Sequence, residues 1–178
     1  GQFYTHQIHL SPGRVRGVDE ARQLAACNAF AMNAGVAQHE QCAAILKEYQ
    51  RRRELYLESQ FCEWWGIHPP YPETAFGIAP GQNANGGAWP QIGGELALAA
   101  LQHGFESYGV DILRRFYDLA VKPRRAVAWY APDGTPARDE YSAPHDVVGA
   151  SAMLRALVEG VCGVRDEGCA FGKITLSP

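Results

Sequence analysis

Two adjacent stretches decide how this chain folds: AWPQIGGELALAALQH at residues 88–103 and, after Gly104-Phe105-Glu106, SYGVDILRRFYDLAVK at 107–122. The first carries apolar residues on most sides of a helix (Ile92, Leu96, Ala97, Leu98, Ala99, Ala100, Leu101). The second carries a stripe (Ile112, Leu113, Phe116, Tyr117, Ala120) opposite Asp111, Arg114, Arg115 and Asp118. A helix apolar all round must be covered on all sides, whereas a striped one turns its polar face to water. The pair therefore predicts a buried helix followed by an outer one.

The same alternation extends in both directions. Residues 18–34 become apolar nearly all round after Leu24, and 37–58 show a stripe of Cys42, Ile45, Leu46, Tyr49 and Tyr56. The rest of that second stretch is Glu40, Gln41, Lys47, Glu48, Arg51, Arg52, Arg53 and Glu54, which predicts a wet face. Residues 146–161 are again apolar nearly throughout. The order buried, amphipathic, buried, amphipathic, buried predicts an all-α fold in two layers, inner helices lining a core and outer helices wrapping them. A short extended segment over 169–178 closes the chain.

Link lengths alternate too. Inner-to-outer links are tight and carry Gly35 and Gly104, the residue type that ends helices. Outer-to-inner links are long, over 59–87 and 123–145, and 1–17 is a third of that kind. An up-and-down arrangement puts all three at one end, where the N-termini of the inner helices also point. Long loops on one face of a rigid scaffold are where sites are built.

Composition agrees with one globular domain over 1–178: the chain is 47% hydrophobic and 11% aromatic, above what a disordered chain carries. A net charge of −3 gives no basic surplus for nucleic acid. No apolar run reaches the length of a membrane span. No basic-then-apolar leader opens the chain, and the start Gly1-Gln2-Phe3 suggests a processed chain or a cut piece. Five cysteines without a C-x-x-C pair fit neither a disulfide framework nor a zinc site, so no metal or cofactor is expected. Cys27, Cys42 and Cys162 occupy apolar helical positions and read as small core residues. That usage leans toward a reducing compartment, such as the cytoplasm, and leaves the location open.

The long loops hold the chemistry. The first contains Trp64, Trp65 and Trp89 with Gln82, Asn83, Asn85 and stiff proline turns; the second contains Trp129 and Tyr130, then Arg138, Glu140 and His145. Pyranose rings present apolar C–H faces and a rim of hydroxyls, so sugar sites combine aromatic platforms with amides and carboxylates. Core-capping is the competing role for each tryptophan. Glu140 sits a few residues before an inner helix, where a carboxylate serves as a general base on water or, alternatively, as a solvated partner of Arg138. Asp146 reads as a helix cap.

The run Asn85-Gly86-Gly87-Ala88-Trp89-Pro90 is similar to the N-G-G/T-x-W-P signature of six-hairpin, (α/α)6-toroid glycosidases. Residues 141–163, with Gly149-Ala150-Ser151-Ala152-Met153, resemble the last inner helix of those enzymes, and 171–178 the segment after it. The aromatic usual two positions before the Asn-Gly-Gly is Asn83 here. A full toroid has twelve helices and takes about 240 residues, at about 14 per helix and about 6 per link. The resemblance therefore implies a partial (α/α)6 toroid, the C-terminal portion of such a barrel. It implies hydrolysis of a glycosidic bond with inversion, Glu140 as the base, and an oligosaccharide or glycoside substrate. The sugar contacts it implies are Trp65, Gln82, Asn85, Trp89, Trp129 and His145. The acid's usual place is absent, leaving Glu63, Glu73 and Glu95 as substitutes. A phosphorylase of the same fold and a non-catalytic sugar-binding fragment are the alternatives, with an unrelated helical scaffold behind them. Missing neighbours also imply an exposed apolar patch, covered by the rest of the barrel or by self-association.

Overall fold

The computed structural model of the chain describes residues 2–5, 15–56, 62–122, 124–137, 147–168 and 172–177. Among the described residues six α-helices follow in chain order: α1 (Cys27–Asn33), α2 (His39–Tyr56), α3 (Glu73–Phe76), α4 (Pro90–Gln102), α5 (Glu106–Phe116) and α6 (Val147–Arg155). Both α5 and α6 continue as wider π-helical turns, Tyr117–Val121 and Ala156–Val161. Two short antiparallel ladders complete the mostly helical fold, β1 (Leu24–Ala25) with β2 (Ile67–His68) and β3 (Val164–Asp166) with β4 (Ile174–Leu176). No helix among the described residues is long and apolar enough to cross a membrane.

Helix α4 is the centre. Pro90 starts it, where a missing N–H is harmless and the fixed φ already suits a helix. Ile92, Gly93, Gly94 and the run from Leu96 to Ala100 are all buried, as the all-round apolar pattern predicts. It packs against α1, α2, α5 and α6. Gly94 sits where a Cβ would lie 2.5 Å from the Ala152 carbonyl carbon, so α4 and α6 cross with their backbones almost touching. A glycine inside a helix costs about 1 kcal/mol relative to alanine. The close crossing is what that glycine makes possible.

Helix α2 buries Cys42, Ile45, Leu46 and Tyr49 as predicted, and Tyr56 stays partly exposed. Its wet face needs correction. Glu48 and Arg52 are buried as an ion pair at 2.7 Å, and Arg52 also donates to the carbonyls of Arg22 and His68. Helix α5 repeats this: Ile112, Phe116 and Ala120 face the core, while Arg115 turns inward from the predicted wet side.

The first predicted helix is shorter than its pattern. Residues 18–34 divide into a 3-10 turn at Glu20–Arg22, strand β1 and helix α1, because the backbone at Leu24 pairs with His68. Helix α6 is corrected in burial. Gly149, Met153 and Ala156 face α4, but Val147 is 74% exposed and Leu154 58%. The outer sides of α5 and α6 together line an open apolar groove of about 570 Å³. Of the three cysteines predicted to be in the core, Cys42 is buried, while Cys27 and Cys162 are exposed. The predicted terminal strand exists as β4, and its partner β3 lies just after the π-helical turns.

Candidate functional site

The long links meet at the N-terminal end of α4. Ala26 N–H donates to the Gly66 carbonyl at 2.9 Å, and Gly66 N–H donates to that of Gly87 at 3.0 Å. Trp89 N–H donates to Trp64 at 2.8 Å, and Ala88 and Tyr130 exchange a pair of bonds at 2.8 Å each. Together with the β1–β2 ladder, this laces the segments ahead of α1 and α4 to the described part of the link ahead of α6. Two of the three predicted long links, 59–87 and the described part of 123–145, thus meet here, joined by residues 24–26 from the predicted first helix.

The Asn-Gly-Gly run has a backbone explanation. Asn85 is fully buried; its Oδ1 accepts from Tyr71 N–H at 2.8 Å, and its Nδ2 donates to the carbonyls of Tyr71 at 2.9 Å and Ile78 at 2.7 Å. Those three bonds close the loop over residues 71–85 onto itself. Gly86 turns the chain at φ +99°, where a side chain would be strained. At Gly87 a Cβ would lie 2.4 Å from the Asn83 carbonyl oxygen. Trp89 is half-buried and its indole N–H donates to that same carbonyl at 3.1 Å.

The aromatic residues form a floor. Trp65 is 1% exposed and stacks on His68, ring centroids 4.0 Å apart and planes 24° from parallel. Trp129 is 7% exposed, and Trp64 and Tyr130 are fully buried. Gln82 is exposed, so of the predicted sugar contacts it and Trp89 are the described ones that reach solvent. Burial, with the nearby Arg52 charge, pushes His68 down to about 4, so its ring is neutral at pH 7. Three buried atoms here have no hydrogen-bond partner among the described residues: Trp65 Nε1, His68 Nδ1 and Gln23 Oε1. Gln23 lies against the same ladder, its Nε2 donating to the Pro69 carbonyl at 2.8 Å. Buried groups of this kind take an ordered water or a ligand hydroxyl.

No family model matches the chain, and no curated protein matches it.

The three substitute acids fall in different surroundings. Glu63 is fully buried, accepts from Tyr108 Oη–H at 2.7 Å and from Arg115 at 2.8 and 2.9 Å, and lies 3.7 Å from Arg53. Such a carboxylate is a structural anchor. Glu95 accepts from Asn33 Nδ2 at 2.5 Å and lies 3.6 Å from Arg155, a brace between α1, α4 and α6. Glu73 opens α3 and is exposed. Glu140, His145, Arg138 and Asp146 lie outside the described residues. Sequence reading missed His68 and Gln23 altogether. The signal open to it was the His68-Pro69-Pro70 run, where a polar ring sits beside a double tryptophan in a stiff loop.

Proposed function

We propose that the chain is a carbohydrate-active domain, the C-terminal part of an (α/α)6-toroid glycoside hydrolase that cleaves a glycosidic bond with inversion. The observation that supports this most is the hydrogen-bonded gathering of long links at the N-terminal end of α4. Polar atoms without partners collect at the same place, on an aromatic floor. Above that buried layer, the rim offers a polyhydroxylated ligand the half-buried Trp89 ring and the exposed Gln82 amide.

In this reading Glu140 takes a proton from the attacking water, and inversion requires an acid about 6.5–9.5 Å away. Gln82 and Trp89 touch the sugar from the rim, with Trp65, Trp129 and Asn85 holding the surface they stand on, and His145 is a further sugar contact. The exposed sides of α5 and α6 fit the same reading as the place where further helices of the ring, or a second copy, pack.

Reducing-sugar release from a panel of oligosaccharides, by the 178-residue chain and by Glu140→Gln, is the test. Release that the variant loses upholds the proposal; equal release by both rejects the base. One observation favours a second reading, sugar binding without turnover: Glu63 is held by two guanidinium contacts, and Glu95 by Asn33 and Arg155. Tryptophan fluorescence that responds to oligosaccharide without release identifies that case.

A further inference from the structure

Away from the loop end, His39 and His103 bring two imidazoles together. The Nδ1 atoms stand 2.9 Å apart, with ring centroids at 5.0 Å and planes tilted by 41°. The two residues come from elements that are rigid for independent reasons. His39 is the first residue of α2, an eighteen-residue helix anchored by Cys42, Ile45, Leu46 and Tyr49. His103 caps α4 at its C-terminus, its backbone N–H donating to the Ala99 and Ala100 carbonyls at 3.0 and 3.4 Å. The distance between the two backbones is therefore set by the core, and the side chains span what remains.

Two imidazole nitrogens at this separation can share one proton, or both can turn lone pairs to a single cation. Metal–imidazole bonds of about 2.0–2.1 Å put two cis nitrogens about 2.9 Å apart at a right angle, and about 3.3 Å apart at a tetrahedral one. The observed 2.9 Å matches the right angle. Tetragonal and octahedral ions with a preference for nitrogen have that geometry, copper(II) and nickel(II) foremost. The His39–His103 contact is exposed, so a hydrated ion can reach it and keep its waters. No group of three or more His, Cys, Asp or Glu converges on a metal position among the described residues. Among the described residues the two rings are therefore the protein's contribution, with water in the remaining positions.

We propose that His39 and His103 form a two-histidine chelate for a divalent first-row transition metal, each ring binding through Nδ1 and keeping its proton on Nε2. The ion ties the start of α2 to the end of α4, outer helix to central helix. Binding to the folded chain alone then raises its stability by mass action.

Nickel(II) titrated into the chain, without any histidine tag, tests this by calorimetry and by thermal melting. The expected result is one saturable site per chain and a melting temperature that rises with nickel concentration. His103→Asn and His39→Asn, both at positions open to solvent, each lower the affinity at least tenfold and remove the thermal shift. Circular dichroism of the metal-free variants confirms that they fold. Nickel binding that persists unchanged in both variants, or no saturable binding by the parent chain, overturns the proposal.

Discussion

Arg115 lays its guanidinium across the Glu63 carboxylate, Nη1 donating to Oε2 at 2.9 Å and Nη2 to Oε1 at 2.8 Å. Asp111 lies 3.0 Å from the same guanidinium and also pairs with Arg53, so one network joins α5, α2 and the loop before α4. Removing Arg115 leaves the buried Glu63 carboxylate with the Tyr108 hydroxyl and the more distant Arg53, at a cost approaching that of a broken buried pair, about 3–5 kcal/mol. Arg115→Met is therefore expected to lose that much stability in urea unfolding. The double change Arg115→Met with Glu63→Gln loses less than the two single changes added together. Additive losses count against a coupled pair.

His68 makes stability depend on pH. Its folded pKa of about 4 lies below the ordinary value of 6.5, so the unfolded chain binds more protons between those limits. Stability from this group is complete above pH 6.5 and is lost as pH falls toward 4, on the order of 3 kcal/mol in all. His68→Gln removes that part of the pH dependence. Parent and variant curves running parallel from pH 7 to 4 contradict the assignment.

Gly94→Ala sets two known effects against each other. Alanine gains about 1 kcal/mol of helix propensity, but its methyl meets the Ala152 backbone at 2.5 Å. Overpacking costs about 1–3 kcal/mol. Because the obstacle is backbone, the net change is destabilising, read as a lower denaturation midpoint. A stabilised variant means that α4 and α6 cross more loosely than described.

Asn85→Ala strips three bonds from the loop that carries Trp89 and leaves the Tyr71 and Ile78 backbone groups behind. A loss of about 2–4 kcal/mol follows, since each buried group left unpaired costs about 1–3 kcal/mol. Tryptophan emission shifts with it. Full stability with weakened sugar binding instead places the amide on the ligand.

What the sequence made legible was periodicity. Helices α2, α4, α5 and α6 stand within a few residues of their patterns, and the glycines expected to end α1 and α4 do adopt positive φ. Pairing was invisible. Strand β1 is two residues of an apparent helix, taken over by a partner more than forty positions away. Glu48, Arg52 and Arg115 look solvated by type, yet the first two are buried and Arg115 is half-buried, because a neighbouring turn or a distant loop supplies the counter-charge. Cys27, Cys162 and the outer residues of α6 show the opposite failure, since apolar character says what burial favours and not whether a neighbour is there. At the loop end, the tryptophans announced themselves by composition. Asn85 was legible as polar, but its role as a backbone clamp depends on Tyr71 and Ile78, which no local pattern brings to it.

The bonds that run from Ala26 through Gly66 and Gly87 to Ala88 and Tyr130 form one continuous lacing, doubled by the β1–β2 ladder, by Trp89 on Trp64 and by the second Ala88–Tyr130 bond. With each junction held by more than one bond, the segments are released together and not bond by bond. Deuterium uptake at the amides of Ala26, Gly66, Ala88 and Tyr130 is thereby tied to a common opening event, a cooperative unit distinct from the slower interior of α4. Under the proposed function, a sugar that grips one of these links slows exchange in all of them.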